Sequence, residues 1–120
     1  MLNVIVCDGD EAERRAVMDL VRRAGTQSGV PVSAEGCADW EGLAGRVLLK
    51  EPDVVVVAQD GVEGLDTVTS AGALCGRIVW FSDLDFGVQA YRLCVPYFCK
   101  KPVTYGKVER ALAGFLRGGA

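Results

Sequence analysis

The chain has 120 residues, of which 50% are hydrophobic and 24% are charged, and its formal net charge is −3. This length suits one domain with a single core, and the apolar content excludes a disordered chain. The acidic balance disfavours a surface that wraps nucleic acid, and the longest apolar run, 54–58, is too short to cross a bilayer. The absence of histidine excludes a Ser-His-Asp triad and His-ligated zinc.

The cysteines indicate a reducing compartment. There are 5 of them, an odd number, and none forms a C-x-x-C motif. Neither a disulfide framework nor a zinc knuckle is therefore predicted, and we expect buried, reduced thiols in a cytoplasmic protein. The first residues show neither the basic region nor the cleavage-site pattern of a signal peptide, so we expect none.

The first half of the chain alternates short apolar runs with amphipathic stretches. Gly25 is predicted to end the first helix, and Asp39 is predicted to cap the second. The run 54–58 predicts a strand that is buried on both faces. In chain order, the predicted elements are a strand over 2–7, a helix over 11–24, a strand over 30–34, a helix over 40–48 and a strand over 54–58.

The second half continues the alternation, with Thr104 as the predicted cap of the last helix. Residues 117–120 are predicted to be a frayed end. Five strands that alternate with five helices predict a single α/β domain over residues 1–120, with a parallel sheet covered by helices on both faces. The elements are a helix over 65–71, a strand over 78–81, a helix over 85–94, a strand over 97–99 and a helix after residue 104.

Polar residues cluster just past the predicted strands. In doubly wound sheets, ligands bind at the carboxyl ends of the strands. Carboxylates there would suit a hard cation such as Mg²⁺, and a hydroxyl and an ammonium would suit phosphoryl oxygens. The polar residues are Asp8, Asp10, Gln59, Asp60, Ser82, Asp83, Lys100 and Lys101.

The order and spacing of four stretches, 4–11, 51–57, 78–82 and 95–102, resemble the receiver domain of two-component response regulators. The run from Asp85 to Pro102 is most similar to receivers that precede LytTR-type DNA-binding domains. The resemblance implies a flavodoxin-like (βα)5 doubly wound parallel sheet with strand order 2-1-3-4-5. It also implies a cytoplasmic signalling domain that receives a phosphoryl group from a histidine kinase with the help of Mg²⁺.

The resemblance further implies a homodimer, or contacts with protein partners, through the face made by the fourth helix, the fifth strand and the fifth helix. We expect the polar residues of that face to be available for such contacts. This domain itself would contact neither nucleic acid nor membrane, and regulation of transcription would need an attached DNA-binding domain. The polar residues are Gln89, Arg92, Lys107 and Arg110.

Five residues match positions of the family's phosphate site. Asp8 matches the first acid of the metal-binding pair, Ser82 the phosphate-reading hydroxyl and Lys101 the phosphate-reading lysine. Pro102 implies the cis peptide bond that the family uses at this point. Phe98 falls at the position of the relay aromatic, although it lacks a phenol oxygen.

Other positions depart from the family pattern. The phosphoacceptor position holds Ala58, and the second acid of the metal-binding pair is replaced by Gly9. We therefore interpret the chain as a pseudo-receiver that is not an enzyme, works without phosphorylation and needs no cofactor. Asp60 is the fallback acceptor, but a two-residue slip moves its carboxylate by roughly 6–7 Å along an extended chain. Asp8 and Asp10 are the remaining candidates for holding Mg²⁺.

Several residues also have a purely structural interpretation. Asp8 and Asp10 suit the N-terminus of a helix, and Ser82 suits a turn. Without an acceptor, Lys101 would pair with Asp8 or Asp60.

Two other functions have weaker support in the sequence. Asp8 and Asp10 resemble the D-x-D motif of haloacid-dehalogenase-type phosphatases, whose first Asp is the nucleophile. The short chain, and the lack of an acidic pair directly after the fourth strand, speak against that function. An FMN-binding flavodoxin is excluded because the acidic loop over residues 8–11 would repel the phosphate.

Overall fold

The computed structural model describes residues 1–116 and alternates five strands with five helices. The strands are β1 (Leu2–Cys7), β2 (Val32–Cys37), β3 (Val54–Val57), β4 (Ile78–Ser82) and β5 (Tyr97–Lys100). The helices are α1 (Glu11–Ser28), α2 (Trp40–Leu49), α3 (Gly61–Ala71), α4 (Gly87–Arg92) and α5 (Tyr105–Leu116). All strands are parallel and run in the order β2-β1-β3-β4-β5, which confirms the predicted fold class and strand order. The frayed end predicted for 117–120 lies outside the described residues.

The sheet separates two apolar layers, because successive strand side chains point to opposite faces. On one face, Val54 and Val56 of β3 pack with residues of α1 and α5. On the other face, Val55 and Val57 pack with residues of α2, α3 and α4. All four β3 residues are buried, which confirms the predicted strand. Among residues 1–116, no helix has the length and apolar character needed to cross a membrane.

The prediction that Gly25 ends the first helix is wrong. Helix α1 continues to Ser28, and Gly29 ends it in the left-handed region with φ of 70°. Gly25 instead lies where α1 crosses β2, and a Cβ atom there would be 2.4 Å from Cγ2 of Val32. The glycine therefore allows a close approach of helix to strand rather than a stop.

Other predicted boundaries shift by a few residues. Helix α3 begins at Gly61 instead of residue 65, and β2 begins at Val32. Helix α4 spans Gly87–Arg92 and so begins two residues after the predicted start at Asp85. The Asp85 side chain lies before the helix and accepts a hydrogen bond from the Gly87 N–H at 3.0 Å. Asp39 caps α2 as predicted, accepting from the Gly42 N–H at 2.8 Å.

We predict that Gly25→Ala destabilises the protein by about 1–3 kcal/mol, because the added methyl group overlaps Val32. The measurement is the free energy of urea-induced unfolding. The matched control is Gly45→Ala in α2, where an added Cβ meets nothing within 4 Å. The control should gain about 0.5–1 kcal/mol from helix propensity alone. Equal effects at both positions would contradict the close approach.

Candidate functional site

The candidate site lies at the carboxyl ends of the central strands. Ala58 follows β3 directly, is fully buried, and donates its N–H to the Cys7 carbonyl at 2.9 Å. Because Cys7 and Val57 are register partners, Ala58 lies beside Asp8 at the end of β1. A methyl group therefore occupies the position where the resemblance places a phosphoacceptor carboxylate.

Lys101 is held by two carboxylates of its own chain. Its Nζ lies 2.7 Å from Oδ1 of Asp60 and also donates a hydrogen bond to Oε1 of Glu13. The lysine side chain is only 11% exposed. Burial lowers the pKa of Lys101, but the hydrogen bonds to Asp60 and Glu13 outweigh burial and raise that pKa above its usual value. The group is therefore a charged ammonium with both hydrogen-bond partners inside the chain.

Glu13 is the site residue that the sequence analysis missed. It lies in the first turn of α1, three residues after Asp10, whose side chain accepts a hydrogen bond from the Glu13 N–H at 3.0 Å. This spacing matches a capping box, in which the acid three residues after the cap turns back to the cap's own N–H. Here the Glu13 carboxylate instead reaches Lys101, so the spacing could have flagged the residue but not its partner.

Asp8, which is buried, and Glu13, which is half-buried, form an interacting pair of carboxyl groups. Asp8 is 3% exposed, and its Oδ1 accepts from the Asp10 N–H at 3.0 Å. Burial, followed by the hydrogen bond with Glu13, raises the pKa of Asp8 to about 7. Burial alone would raise the pKa of Glu13 as well, but the hydrogen bonds from Asp8 and Lys101 lower it.

The opposite directions of these pKa shifts favour a proton on Asp8 over one on Glu13. The buried Oδ2 of Asp8 has no hydrogen-bond partner among the described residues.

Asp10 has the structural role predicted for it, at the N-terminus of a helix. It is exposed, and its carboxylate is the N-cap of α1, where it also interacts favourably with the helix dipole. Its side chain therefore serves the helix end, while only its backbone N–H contacts the Asp8 carboxyl.

Ser82 also has its hydroxyl engaged locally. The residue is fully buried; its Oγ donates to Oδ1 of Asp83 at 3.3 Å and accepts from the Leu84 N–H at 3.2 Å. The same Asp83 oxygen accepts from the Gly61 N–H at 2.9 Å, which lowers the pKa of Asp83 and ties the start of α3 to the end of β4. Ser82 thus organises a turn.

The aromatic position on β5 is packed rather than exposed. Phe98 is half-buried and meets Trp80 edge-on, with ring centroids 5.1 Å apart. Trp80 stacks in turn on Phe86, also at 5.1 Å, so β5 and the segment before α4 share one aromatic cluster. The bond between Lys101 and Pro102 is cis, as the resemblance implies.

The donors present do not fit a Mg²⁺ site. The Asp8 carboxyl is buried and has a raised pKa, the Asp10 carboxylate caps α1, and the Lys101 ammonium lies against Asp60 and Glu13. Within residues 1–116, no three His, Cys, Asp or Glu side chains converge in a way that could hold a metal ion. We therefore derive no chemistry through a metal.

Comparisons with known proteins give matches of structure alone. A scan of protein-family models found no match, and a search of curated proteins found none. The receiver domain of a response regulator from Clostridium thermocellum has a TM-score of 0.72 at 14% identity, covering 97% of this chain and 94% of that one. The receiver domain of AraT from Geobacillus stearothermophilus has a TM-score of 0.72 at 18% identity, covering 96% and 92%.

A third match is the signal receiver domain of NarL from Mycobacterium tuberculosis, with a TM-score of 0.64 at 23% identity over 98% of this chain and 97% of that one. This chain has the receiver fold. The match spans almost the whole length of each of these domains.

We predict that Asp8→Asn gains stability relative to the wild type as the pH rises. A carboxyl whose pKa is raised on folding stabilises the folded state below its unfolded pKa, and that contribution is lost as the pH rises through about 7. Asparagine keeps both hydrogen bonds without an ionisable proton. The variant should be close to the wild type near pH 4 and exceed it by about 4 kcal/mol at pH 8, because the pKa rises from 3.8 to about 7 on folding.

The measurement is urea unfolding between pH 4 and pH 8. The matched control is Asp10→Asn, which keeps a capping side chain at the exposed end of α1. The same trend in both variants would mean that the effect comes from removing any one negative charge, and would contradict the buried pair.

We predict that Lys101→Met destabilises the protein by about 2 kcal/mol, because Glu13 and Asp60 lose their shared cation at a largely buried position. The control is Lys100→Met at the exposed neighbouring position, which should stay within about 0.5 kcal/mol of the wild type. Thermal and urea unfolding at pH 7 supply the comparison. Similar stability in both variants would show that the ion pairs contribute nothing.

Proposed function

We propose that this chain is a two-component receiver domain that works without phosphorylation and acts through contacts with other proteins. The observation that carries the proposal is the pairing of Lys101 with Asp60 and Glu13 beside Ala58. The resemblance assigns that lysine to the phosphoryl group. Here its charge is already compensated by the chain itself.

The energetics favour this pseudo-receiver interpretation. An incoming phosphoryl group would have to displace a carboxylate from Lys101, which already pairs with Glu13 and Asp60. It would also meet the carboxyl groups of Asp8 and Glu13. Ser82 would have to give up its bonds to Asp83 and Leu84. Each of these steps opposes the chemistry of an active receiver.

A second candidate is a receiver whose acceptor has been rebuilt at Asp60. The specific observation in its favour is that the Asp60 side chain is 58% exposed while one of its oxygens contacts Lys101. Lysine contact and solvent access are both properties that an acceptor needs. The phosphatase interpretation lacks comparable support, because a nearly inaccessible Asp8 whose pKa is raised to about 7 is a poor nucleophile.

The surface proposed for partner contacts is the face formed by α4, β5 and α5. It carries Tyr91, which is 86% exposed, together with exposed Val88, Gln89 and Arg92. The expectation that Lys107 is free on this face is wrong, because its Nζ donates to the carbonyls of Lys100 and Pro102, at 2.8 and 2.9 Å. Arg110 is exposed, but its Nε donates to the Gly106 carbonyl at 3.2 Å.

An exposed aromatic ring beside an arginine suits a protein interface. We propose that this face binds a second copy of the chain or another signalling protein in the cytoplasm, with histidine kinases among the candidates. As in receivers that precede LytTR-type domains, an attached or associated DNA-binding domain would carry the effect on transcription.

The test is intact-mass spectrometry after incubation with acetyl phosphate and Mg²⁺. We expect no adduct of about 80 Da in the wild-type chain, while a receiver with its acceptor aspartate, treated in parallel, gains one. The oligomeric state, followed by size-exclusion chromatography, should likewise not respond to acetyl phosphate.

The decisive variant is Asp60→Asn. A wild-type adduct that disappears in this variant would establish the rebuilt acceptor and overturn the pseudo-receiver proposal. An adduct that disappears in Asp8→Asn instead, together with hydrolysis of p-nitrophenyl phosphate, would indicate the phosphatase.

A further inference from the structure

Two cysteines lie side by side at the ends of neighbouring strands. Cys7 is the last residue of β1, Cys37 is the last residue of β2, and the two are register partners in the parallel pair. Both belong to the same apolar layer, beneath α2, so their side chains lie on one face of the sheet. Adjacent strands are about 4.8 Å apart. That spacing falls within the range of roughly 4.4–6.8 Å over which Cα atoms are bridged by disulfides.

The two thiols influence each other's pKa. Their interaction raises the pKa of Cys7 and lowers that of Cys37; burial opposes the lowering at Cys37, and the guanidinium groups of Arg46 and Arg14 favour it. Cys7 is fully buried and Cys37 is 7% exposed, so only a small reagent reaches the pair. The register therefore places two cysteine side chains next to each other on one face of the sheet, and the lowered pKa of Cys37 makes it the one that forms a thiolate.

We propose that Cys7 and Cys37 form a modification site at which a peroxide produces a reversible intrachain disulfide. In the first step, the Cys37 thiolate attacks one oxygen of hydrogen peroxide; the O–O bond breaks, a proton is taken up, and water leaves. Cys37 is then a sulfenic acid. In the second step, the Cys7 sulfur attacks the Cys37 sulfur, the S–O bond breaks, and the Cys7 proton leaves with the hydroxyl as water. Two thiols are oxidised by two electrons, and one peroxide is reduced to two waters.

A disulfide between Cys7 and Cys37 would affect the candidate site. The Asp8 N–H donates to the Cys37 carbonyl at 3.0 Å, and Asp39, the cap of α2, follows Cys37 by two residues. A disulfide would draw the ends of β1 and β2 together directly beneath these two residues. The modification would therefore act on Asp8 and α2 without phosphoryl chemistry, and it does not depend on the proposed function.

The other cysteines set the design of the test. Cys94 is exposed, Cys75 is buried and Cys99 is half-buried. A background variant with Cys75→Ala, Cys94→Ser and Cys99→Ala leaves only the proposed pair. In this variant, hydrogen peroxide should lower the intact mass by about 2 Da, and a phosphine reductant should restore it. Circular dichroism before and after treatment checks that the chain stays folded.

Peptide mapping locates the bond. Tryptic cleavage of the oxidised variant should yield residues 1–14 linked to residues 24–46, since these peptides carry Cys7 and Cys37. Adding Cys37→Ser to the background should abolish the 2 Da loss and leave Cys7 unlinked, while the wild-type chain should give the same linked peptides as the background variant.

Three outcomes would overturn the proposal. They are an unchanged mass under conditions that oxidise Cys94 of the wild type, stepwise oxygen addition without linked peptides, and disulfides only between separate chains. The linked peptide is measured in the background variant, which keeps both Cys7 and Cys37. The proposal can therefore be tested even if Cys37→Ser does not fold.

Discussion

The structure depends at its candidate functional edge on a balance of charge among four groups, one of which is exposed and the others buried or partly buried. Three carboxyl groups, from Asp8, Glu13 and Asp60, meet one ammonium, that of Lys101. Ionised carboxylates are costly away from water unless they are paired or protonated. A proton on Asp8 removes one charge, Lys101 compensates a second, and the third lies on exposed Asp60. The edge therefore reaches a stable state using only groups of the chain.

The parallel sheet is what brings these groups together. Asp8 and Lys101 are far apart in sequence, yet each follows a strand of the same sheet, so both emerge at the same edge. Glu13 joins them from the first turn of α1, because its helix starts directly after β1. The apolar layers on both faces fix the positions of these strand ends. Burial of the uncharged core residues therefore determines where the charged groups lie.

The sequence predicted an element correctly where burial alone determines it. The prediction failed where a close contact between two elements determines the role of a residue. The valine run of β3 has no other stable environment than the centre of a sheet, and it was predicted correctly. Gly25 looked like a helix end because glycine usually is one, and only the approach of Val32 reveals its role. In the site, strand ends identified Asp8, Ser82 and Lys101. The Glu13 contact was missed, because it depends on which way one helical side chain turns.

If Ala58 stands at the acceptor position, as we propose, its methyl group has an electrostatic consequence that would account for Glu13. In the receiver pattern, the lysine after the fifth strand faces the acceptor; with Ala58 in that place, Lys101 would remain largely buried without an anion. An uncompensated ammonium there would lose its proton or destabilise the fold. Glu13 and Asp60 provide the missing negative charge from α1 and from the residue just before α3. The lysine is thus retained by a structural requirement, and its presence in a receiver fold is not in itself a sign of phosphoryl chemistry.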